Sequence, residues 1–393
     1  MAKFTGDRAD PDTPDITFFF KNNPVVLCED FDKASPATSF QDMELFAEFK
    51  HGTQHDPFLD ETTGAPNSTI ERSSINGDNT RGQCALYAAN QLAYQHRLFA
   101  FNLVVCGKRV RFIRWDREGV VVSAGVDCST SHDLVIEFLQ WFNQMTAEQR
   151  GLDPTATPAT PEEIKAFQLA VANVKIESLK DSVGDLTDHP RFKLEVHDAR
   201  DEVSYYVVGK ALDDKLGVVG RCTRSYLALD LSTNQPVFLK DMWRPDVRGV
   251  EPEHVWYEKL TAANVPHLVK FKHGSDVIQS TSTPTPNYYG TAPLKPTETT
   301  TRQGAQRGLT HRLVDLFNSH ESKLRGYVHY RLVQTELCRP LSDFTNSKHL
   351  ASVVLDSLKG LITRDIALTL LLTYRSAQRA RRRFRMLVSS TGT

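Results

Sequence analysis

The feature that most constrains this fold is a series of short β-rich runs interrupted by only a few amphipathic helices. Residues 99–106 and 109–115 are rich in β-branched and aromatic side chains, which favour strands. Residues 116–119, Asp-Arg-Glu-Gly, then turn the chain into a further apolar run, which is typical of a β-hairpin. Residues 81–98 and 132–145 instead carry apolar residues at helical spacing. This pattern predicts a mixed-sheet α/β domain in the N-terminal part.

A second block of strand and helix signals follows residues 151–163, whose Pro and Thr residues indicate a linker. Its strand-like runs and its main helix cover residues 203–212, 218–231, 235–243, 251–263 and 329–337. Within this block, residues 280–308 are dominated by Thr, Pro, Ser and Gln, which predicts a disordered insert. The whole sequence therefore predicts an α+β fold. We expect an accessory domain over residues 1–195, a second domain over 196–345 and a final segment over 346–393.

Composition narrows the class of protein. The chain has 393 residues, enough for two domains with separate cores. Its formal net charge of -1 gives no overall attraction to nucleic acid or to anionic membranes. The six cysteines form no C-x-x-C pair, and the longest apolar runs fall short of the roughly 20 residues that span a bilayer. We therefore expect a soluble intracellular protein of the cytoplasm or nucleus, without membrane contact.

Seven segments in the second half of the chain carry a family resemblance. They are "GRCTRSYLALDL", "PVFLKDMWRP", "YEKL", "VPHLVK", "HYRLV", "RPLSDF" and "TRDIA". In this order they resemble the fungal-type protein kinase family. The resemblance implies a five-stranded, kinase-like N-terminal lobe with one main helix. It also implies ATP and Mg²⁺ as cofactors, and transfer of the γ-phosphate to a Ser or Thr hydroxyl of a protein that the sequence does not identify.

The resemblance assigns roles to a small set of residues in this lobe. Gly220 would let backbone N–H groups approach the phosphates, although a plain hairpin turn is the alternative. Cys222 stands where the family usually has a second glycine, which weakens that phosphate clamp. Lys240 would contact the α- and β-phosphates, with a solvated surface lysine as the alternative. Backbone groups of Thr335 and Leu337 would bind the adenine.

A helix carboxylate should hold Lys240 in place. Glu253 is our candidate, because Trp256, Tyr257 and Leu260 would bury the same helix face. Glu251 and Glu258 are rivals that the sequence does not exclude.

Residues 363–370 resemble the kinase catalytic loop H-R-D-x-x-x-x-N. Arg364 and Asp365 match its catalytic pair, whereas Thr363 replaces the histidine and Leu370 replaces the asparagine that would hold Mg²⁺. Residues 366–393 contain no Asp, Glu or Asn, so a D-F-G carboxylate is missing as well. We expect a truncated, vestigial C-terminal lobe and impaired catalysis, which leaves open a non-catalytic pseudokinase that acts as a scaffold or binding module.

A cluster of arginines near the end of the chain has two interpretations. It comprises Arg375, Arg379, Arg381, Arg382, Arg383 and Arg385. Such a cluster is compatible with a nucleic-acid or nuclear-localisation patch. We favour the alternative, a non-native tail that replaces the lost lobe.

The first domain resembles the accessory region of the same family through "RGQCALYAANQLAYQHRLFAF", "RFIRWDREGVVVS" and "EQRG". Asp15 after a proline, Glu48 and Lys50 spaced as E-x-K, and Gln83 on the next helix also look like the P-D…(D/E)-x-K pattern of restriction-endonuclease-like folds. That resemblance implies Mg²⁺ on the two carboxylates, with Lys50 stabilising charge on a phosphate. A metal-dependent nuclease, an inert or substrate-binding relative, and charges that simply face solvent all remain open.

Overall fold

The computed structural model describes most of the chain and contains two large β-sheets with helices packed on them. The described residues are 2–4, 13–19, 40–60, 70–186, 189–198, 200, 202–212, 217–281, 302–310 and 325–363. Each large sheet has seven strands, and a separate pair of strands forms a small third sheet. The predicted α+β fold class is confirmed. Within the described residues, no helix combines the length and apolar character needed to cross a membrane.

The first sheet has the order β1-β2-β3-β4-β5-β6, with β7 paired to β5. Its strands are β1 (Ala2–Phe4), β2 (Ile16–Phe18), β3 (Leu45–Lys50), β4 (Phe99–Cys106), β5 (Arg109–Asp116), β6 (Gly119–Val122) and β7 (Val126–Asp127). Neighbours are antiparallel except β3 and β4, which are parallel. A parallel pair needs a crossover connection, and the long helix α1 (Ile75–Tyr94) provides it.

Two helices cover the opposite faces of this sheet. Helix α1 begins at Ser74, whose hydroxyl accepts a hydrogen bond from the Gly77 N–H, and it buries Tyr87 and Leu92 in the main core. Helix α2 (His132–Gln144) packs Phe142 against Leu103 and the other apolar residues of the second face. Both faces of the sheet are therefore covered, which agrees with the near-continuous apolar run FAFNLVVC of β4.

The second sheet is antiparallel throughout and has the order β13-β16-β12-β11-β10-β9-β8. Its strands are β8 (Ala156–Pro158), β9 (Phe192–His197), β10 (Val203–Val208), β11 (Arg224–Asp230), β12 (Gln235–Pro245), β13 (Phe271–Asp276) and β16 (Tyr327–Gln334). The small sheet pairs β14 (Ile278–Thr281) with β15 (Arg302–Ala305). Five strands of the large sheet lie next to one another in the order β10-β11-β12-β16-β13, with β12 in the middle.

Four helices accompany the second sheet. They are α3 (Pro161–Ala172), α4 (Glu177–Asp181), α5 (Glu253–Ala262) and α6 (residues 347–363). Helix α3 starts with a capping box in which the side chains of Thr160 and Glu163 bond each other's backbone N–H groups. Helix α5 lies between β12 and β13 along the chain and packs against β13.

Three details differ from the sequence expectations. Residues 151–163, expected to be a linker, contain strand β8 and the start of α3, and the expected domain boundary at residue 195 falls inside strand β9. The expected disordered insert is ordered at both ends, because β14 and β15 pair there. Gln306 helps to order the C-terminal end of the insert, because its buried amide donates to Asp153 and Gln279. Residues 282–301 lie outside the described part of the chain.

A buried polar network joins the second sheet to the segment that precedes it. Arg331 on β16 donates to Asp153 Oδ2 at 2.8 Å and to Thr155 Oγ1 at 2.9 Å. Arg224 on β11 donates to Asp241 Oδ2 at 2.7 Å, and His329 also contacts Asp241. Burial alone would raise the pKa of Asp241, but the charges of its three basic neighbours hold it well below its usual value.

Candidate kinase-like site

Lys240 and Glu253 form a two-pronged ion pair between strand β12 and helix α5. Strand alternation buries Leu239 and Asp241 on one side of β12 and leaves Lys240 on the other. The Lys240 ammonium donates to Glu253 Oε2 at 2.8 Å and to Oε1 at 3.1 Å. Both side chains remain partly exposed, so the lysine is accessible to a phosphate while the carboxylate holds it in place.

The rival carboxylates do not contact Lys240. Glu251 pairs with Lys259 instead, and Glu258 is exposed. Trp256 does not bury this helix face as expected. It is 38% exposed, and the Lys259 ammonium lies 4.7 Å from its ring centre.

The other side chains of α5 orient the helix through contacts with β16. The Tyr330 hydroxyl accepts a hydrogen bond from the His254 N–H at 2.9 Å, and the Gln334 amide donates to the Tyr257 hydroxyl at 2.6 Å. The Tyr257 ring also stacks on Phe271 of β13. These contacts fix the first turn of α5, and with it Glu253, relative to the strand that carries Lys240.

Gly220 lies in a loop that the first domain holds. Its φ of +100° is a conformation that suits glycine, and an added Cβ would meet no atom within 4 Å. Its N–H donates to the Arg117 carbonyl at 2.9 Å, and the Arg117 guanidinium donates to the Gly217 carbonyl at 2.8 Å. Val218 is buried in the core of the first domain. This contact is not predictable from the sequence, because residues 116–119 indicate only a tight turn.

The two candidate adenine-binding residues lie just after β16. The Thr335 N–H donates to the Lys270 carbonyl at 2.9 Å, so the sheet already uses this donor. The Leu337 side chain packs against an apolar cluster that includes Phe167 of α3. Cys222 has a φ of +37°, and its thiol donates to the Gly217 carbonyl at 3.3 Å.

Helix α6 leads directly to the candidate catalytic loop. Arg364 and Asp365 lie outside the described residues, as do Leu370 and the arginine cluster. Thr363 is described, and its hydroxyl donates back to the Lys359 carbonyl at 2.9 Å within the helix. Among the described residues, no group of three or more His, Cys, Asp and Glu side chains could hold a metal ion. The lysine fits a phosphate group, whereas these residues provide no fit for Mg²⁺ beside it.

Three of the four N-terminal candidates lie together at the end of β3. Asp15 Oδ2 accepts a hydrogen bond from the Phe49 N–H at 2.7 Å, and the Lys50 ammonium contacts Glu48 Oε1. Glu48 is 3% exposed, and its Oε2 atom has no hydrogen-bond partner among the described residues. Burial raises the pKa of Glu48, and the nearby charge of Asp15 adds to this increase. Gln83 is half-buried on α1 and makes no described hydrogen bond to the other three.

Comparison with known proteins identifies one family. The family model for fungal protein kinases matches residues 69–371, which is well over half of the chain. No curated protein and no solved structure matches. The matched range begins just before α1 and continues past α6, so it includes the β3-β4 crossover helix as well as the Lys240–Glu253 pair. The chain therefore belongs to the fungal protein kinase family.

Proposed function

We propose that the chain binds ATP through Lys240 and that it is impaired in transferring the γ-phosphate. The observation that carries this proposal is the ion pair of Lys240 with both oxygens of Glu253. A lysine on a strand, held by a helix carboxylate, is the arrangement by which protein kinases bind the α- and β-phosphates. The strand order β10-β11-β12-β16-β13 supports the same interpretation, since it carries Lys240 on the central strand.

We infer impaired transfer from the positions where metal-binding residues are expected, because other residue types stand there. Phosphoryl transfer depends on Mg²⁺ to neutralise charge on the transferred group. Leu370 stands where the family resemblance expects a metal-binding asparagine, and an isobutyl group cannot coordinate a cation. Thr363 also lacks the imidazole expected before the Arg364–Asp365 pair. The function best supported is therefore a nucleotide-binding lobe that acts by binding, as a scaffold, rather than by turnover.

A thermal-shift titration with ATP and ADP tests nucleotide binding. A ligand at 100 times its Kd adds about 2.7 kcal/mol of stability, which is a shift of several degrees for a chain of this size. We expect this shift in the wild type and its loss in Lys240→Met. Lys259→Met is the matched control, because it removes a lysine that pairs with Glu251 of the same helical region. An ATP shift that survives in Lys240→Met would refute the proposed site.

A radiolabelled phosphotransfer assay with Mg²⁺ or Mn²⁺ tests the second half of the proposal. We expect no transfer to the chain itself or to a generic protein substrate. Transfer that disappears in Asp365→Asn would contradict the proposed impairment, whereas transfer that persists in this variant would indicate a contaminating kinase.

The buried end of β3 favours a second candidate function, a divalent-cation site on Asp15 and Glu48. A carboxylate oxygen that is buried without a partner is costly, and a cation would compensate it. Mn²⁺ binding measured by calorimetry should be lost in Glu48→Gln and retained in Asp133→Asn, whose carboxylate is exposed on α2. Wild-type protein that binds no Mn²⁺ would eliminate this site. Mg²⁺-dependent DNA cleavage that is lost in Glu48→Gln would extend it to a nuclease.

A further inference from the structure

The side of the second sheet that carries Lys240 can be followed from strand to strand. Paired residues of neighbouring strands point to the same face, and alternate residues along one strand share that face. Lys240 pairs with Ser225, so Leu227 and Leu229 on β11 share its face. Leu229 pairs in turn with Val207 on β10. An apolar surface made by these two strands therefore continues from Lys240 towards β10.

Helices α3 and α4 already cover this apolar surface. Phe167, Ala170 and Val171 of α3 form one buried cluster with Val207, Leu227 and Leu229, and Phe167 is only 1% exposed. Two further members of the cluster flank the nucleotide site proposed above. Leu212 comes from the chain that leads into the Gly220 loop, and Leu337 comes from the segment after β16 that would bind adenine.

Polar contacts hold this helical cover on three sides. The Ser178 hydroxyl of α4 donates to Asp343 Oδ2 at 2.8 Å, which ties the cover to the chain beyond Leu337. The Lys193 ammonium on β9 donates to Glu163 of α3 at 2.9 Å. The Lys210 N–H donates to the Val183 carbonyl at 3.0 Å, beside the start of the Gly220 loop. The cover thus contacts both the sheet and the segment after β16.

A purine ring bound beside Lys240 would need contacts with the same apolar side chains that the helical cover now buries. Nucleotide pockets bury most of the ligand against apolar side chains, with a few polar groups that fix its orientation. We propose that residues 161–183, the helical cover, occupy the purine side of the nucleotide pocket and exclude the base until they move away. This inference rests on the proposed nucleotide site at Lys240. The cover is then a competitor built into the same chain, and apparent nucleotide affinity is reduced by the fraction of molecules that are covered.

Fluorescent ADP binding provides the test, with Phe167→Ala as the variant that weakens the cover. Loss of this buried ring should raise the open fraction, and we expect the apparent affinity to increase by about tenfold or more. Leu169→Ala is the matched control, because Leu169 is on the same helix and 60% exposed, and it should bind ADP like the wild type. If Phe167→Ala fails to fold, the double variant Glu163→Gln, Ser178→Ala should act in the same direction. It removes the charge from the contact with Lys193 and the hydroxyl that donates to Asp343.

Hydrogen exchange separates failure of the inference from failure of the proposed site. Saturating ADP should increase exchange over residues 161–183 of the wild type, because the cover is displaced. The inference would be overturned, while nucleotide binding stands, by two results together. The wild type and Phe167→Ala would bind ADP with equal affinity, and ADP would not change exchange over these residues. Absence of binding in every variant would overturn both. Adding the Lys240→Met substitution to the Phe167→Ala variant should abolish ADP binding.

Discussion

Arg331 offers a quantitative test of how the two parts of the chain are joined. Its side chain is fully buried and donates to Asp153, to Thr155 Oγ1 and to the Glu195 carbonyl at 2.7–2.9 Å. Arg331→Met keeps an unbranched apolar stem but removes the guanidinium, which leaves Asp153 as a buried carboxylate without its main counter-charge. Removing one partner of a buried ion pair typically costs about 3–5 kcal/mol, so we expect a loss of this size in the free energy of unfolding.

Urea unfolding monitored by tryptophan fluorescence and circular dichroism measures this loss. Lys359→Met is the control, because it breaks the exposed Lys359–Asp356 pair on α6, and such pairs contribute about 0.2–1 kcal/mol. Because Arg117 and Val218 join the two parts of the chain, we also expect the two probes to report one transition in the wild type. A loss below about 1 kcal/mol in Arg331→Met, similar to the control, would refute the argument that this network stabilises the fold.

Three further predictions concern acid stability, glycine conformation and thiol reactivity. The pKa of Asp241 is lower in the folded state than in the unfolded state, so its ionised carboxylate stabilises the fold above the unfolded-state pKa of about 4. This stabilisation is lost as the pH falls towards the lower folded pKa. Acid unfolding should therefore begin below about pH 4, and its dependence on pH should be shallower in Asp241→Asn. Gly220→Ala should cost about 1–3 kcal/mol in a urea titration because of its positive φ, whereas Gly82→Ala inside α1 should stabilise by about 0.5–1 kcal/mol. Exposed Cys338 should react with a thiol reagent at pH 7.4 before Cys106, since burial raises the pKa of Cys106 to about 12.

Local sequence patterns predicted most elements of the fold. The runs at 99–106 and 109–115 correspond to β4 and β5, and residues 132–145 correspond to α2, because alternation and helical spacing are local properties of the chain. The structure pairs Lys240 with Glu253. The order of the family motifs pointed to Lys240, and the apolar spacing of α5 favoured Glu253, although Trp256 on that face is exposed.

Long-range contacts explain what the sequence did not reveal. Arg117 and Gly217 are 100 residues apart, and a four-residue turn gives no indication that its arginine holds a distant loop. Gln306 belongs to a segment that is polar enough to predict disorder, yet one amide with buried partners orders its end. The cover formed by α3 was hidden for the same reason, since an amphipathic helix specifies an apolar face but not the surface on which it packs.

These long-range contacts imply that the kinase-like lobe does not form an independent unit. A fragment that starts at residue 196 would lack Asp153 and Thr155, which would leave the guanidinium of Arg331 buried without its carboxylate partner. The fragment would also expose Val218, which now lies in the core of the first domain beside Tyr87 and Leu92. The unpaired Arg331 and the exposed Val218 would both destabilise strands and loops next to Lys240. The first domain therefore stabilises the geometry around Lys240 and Glu253, which agrees with a family match that begins at residue 69, well before the lobe itself.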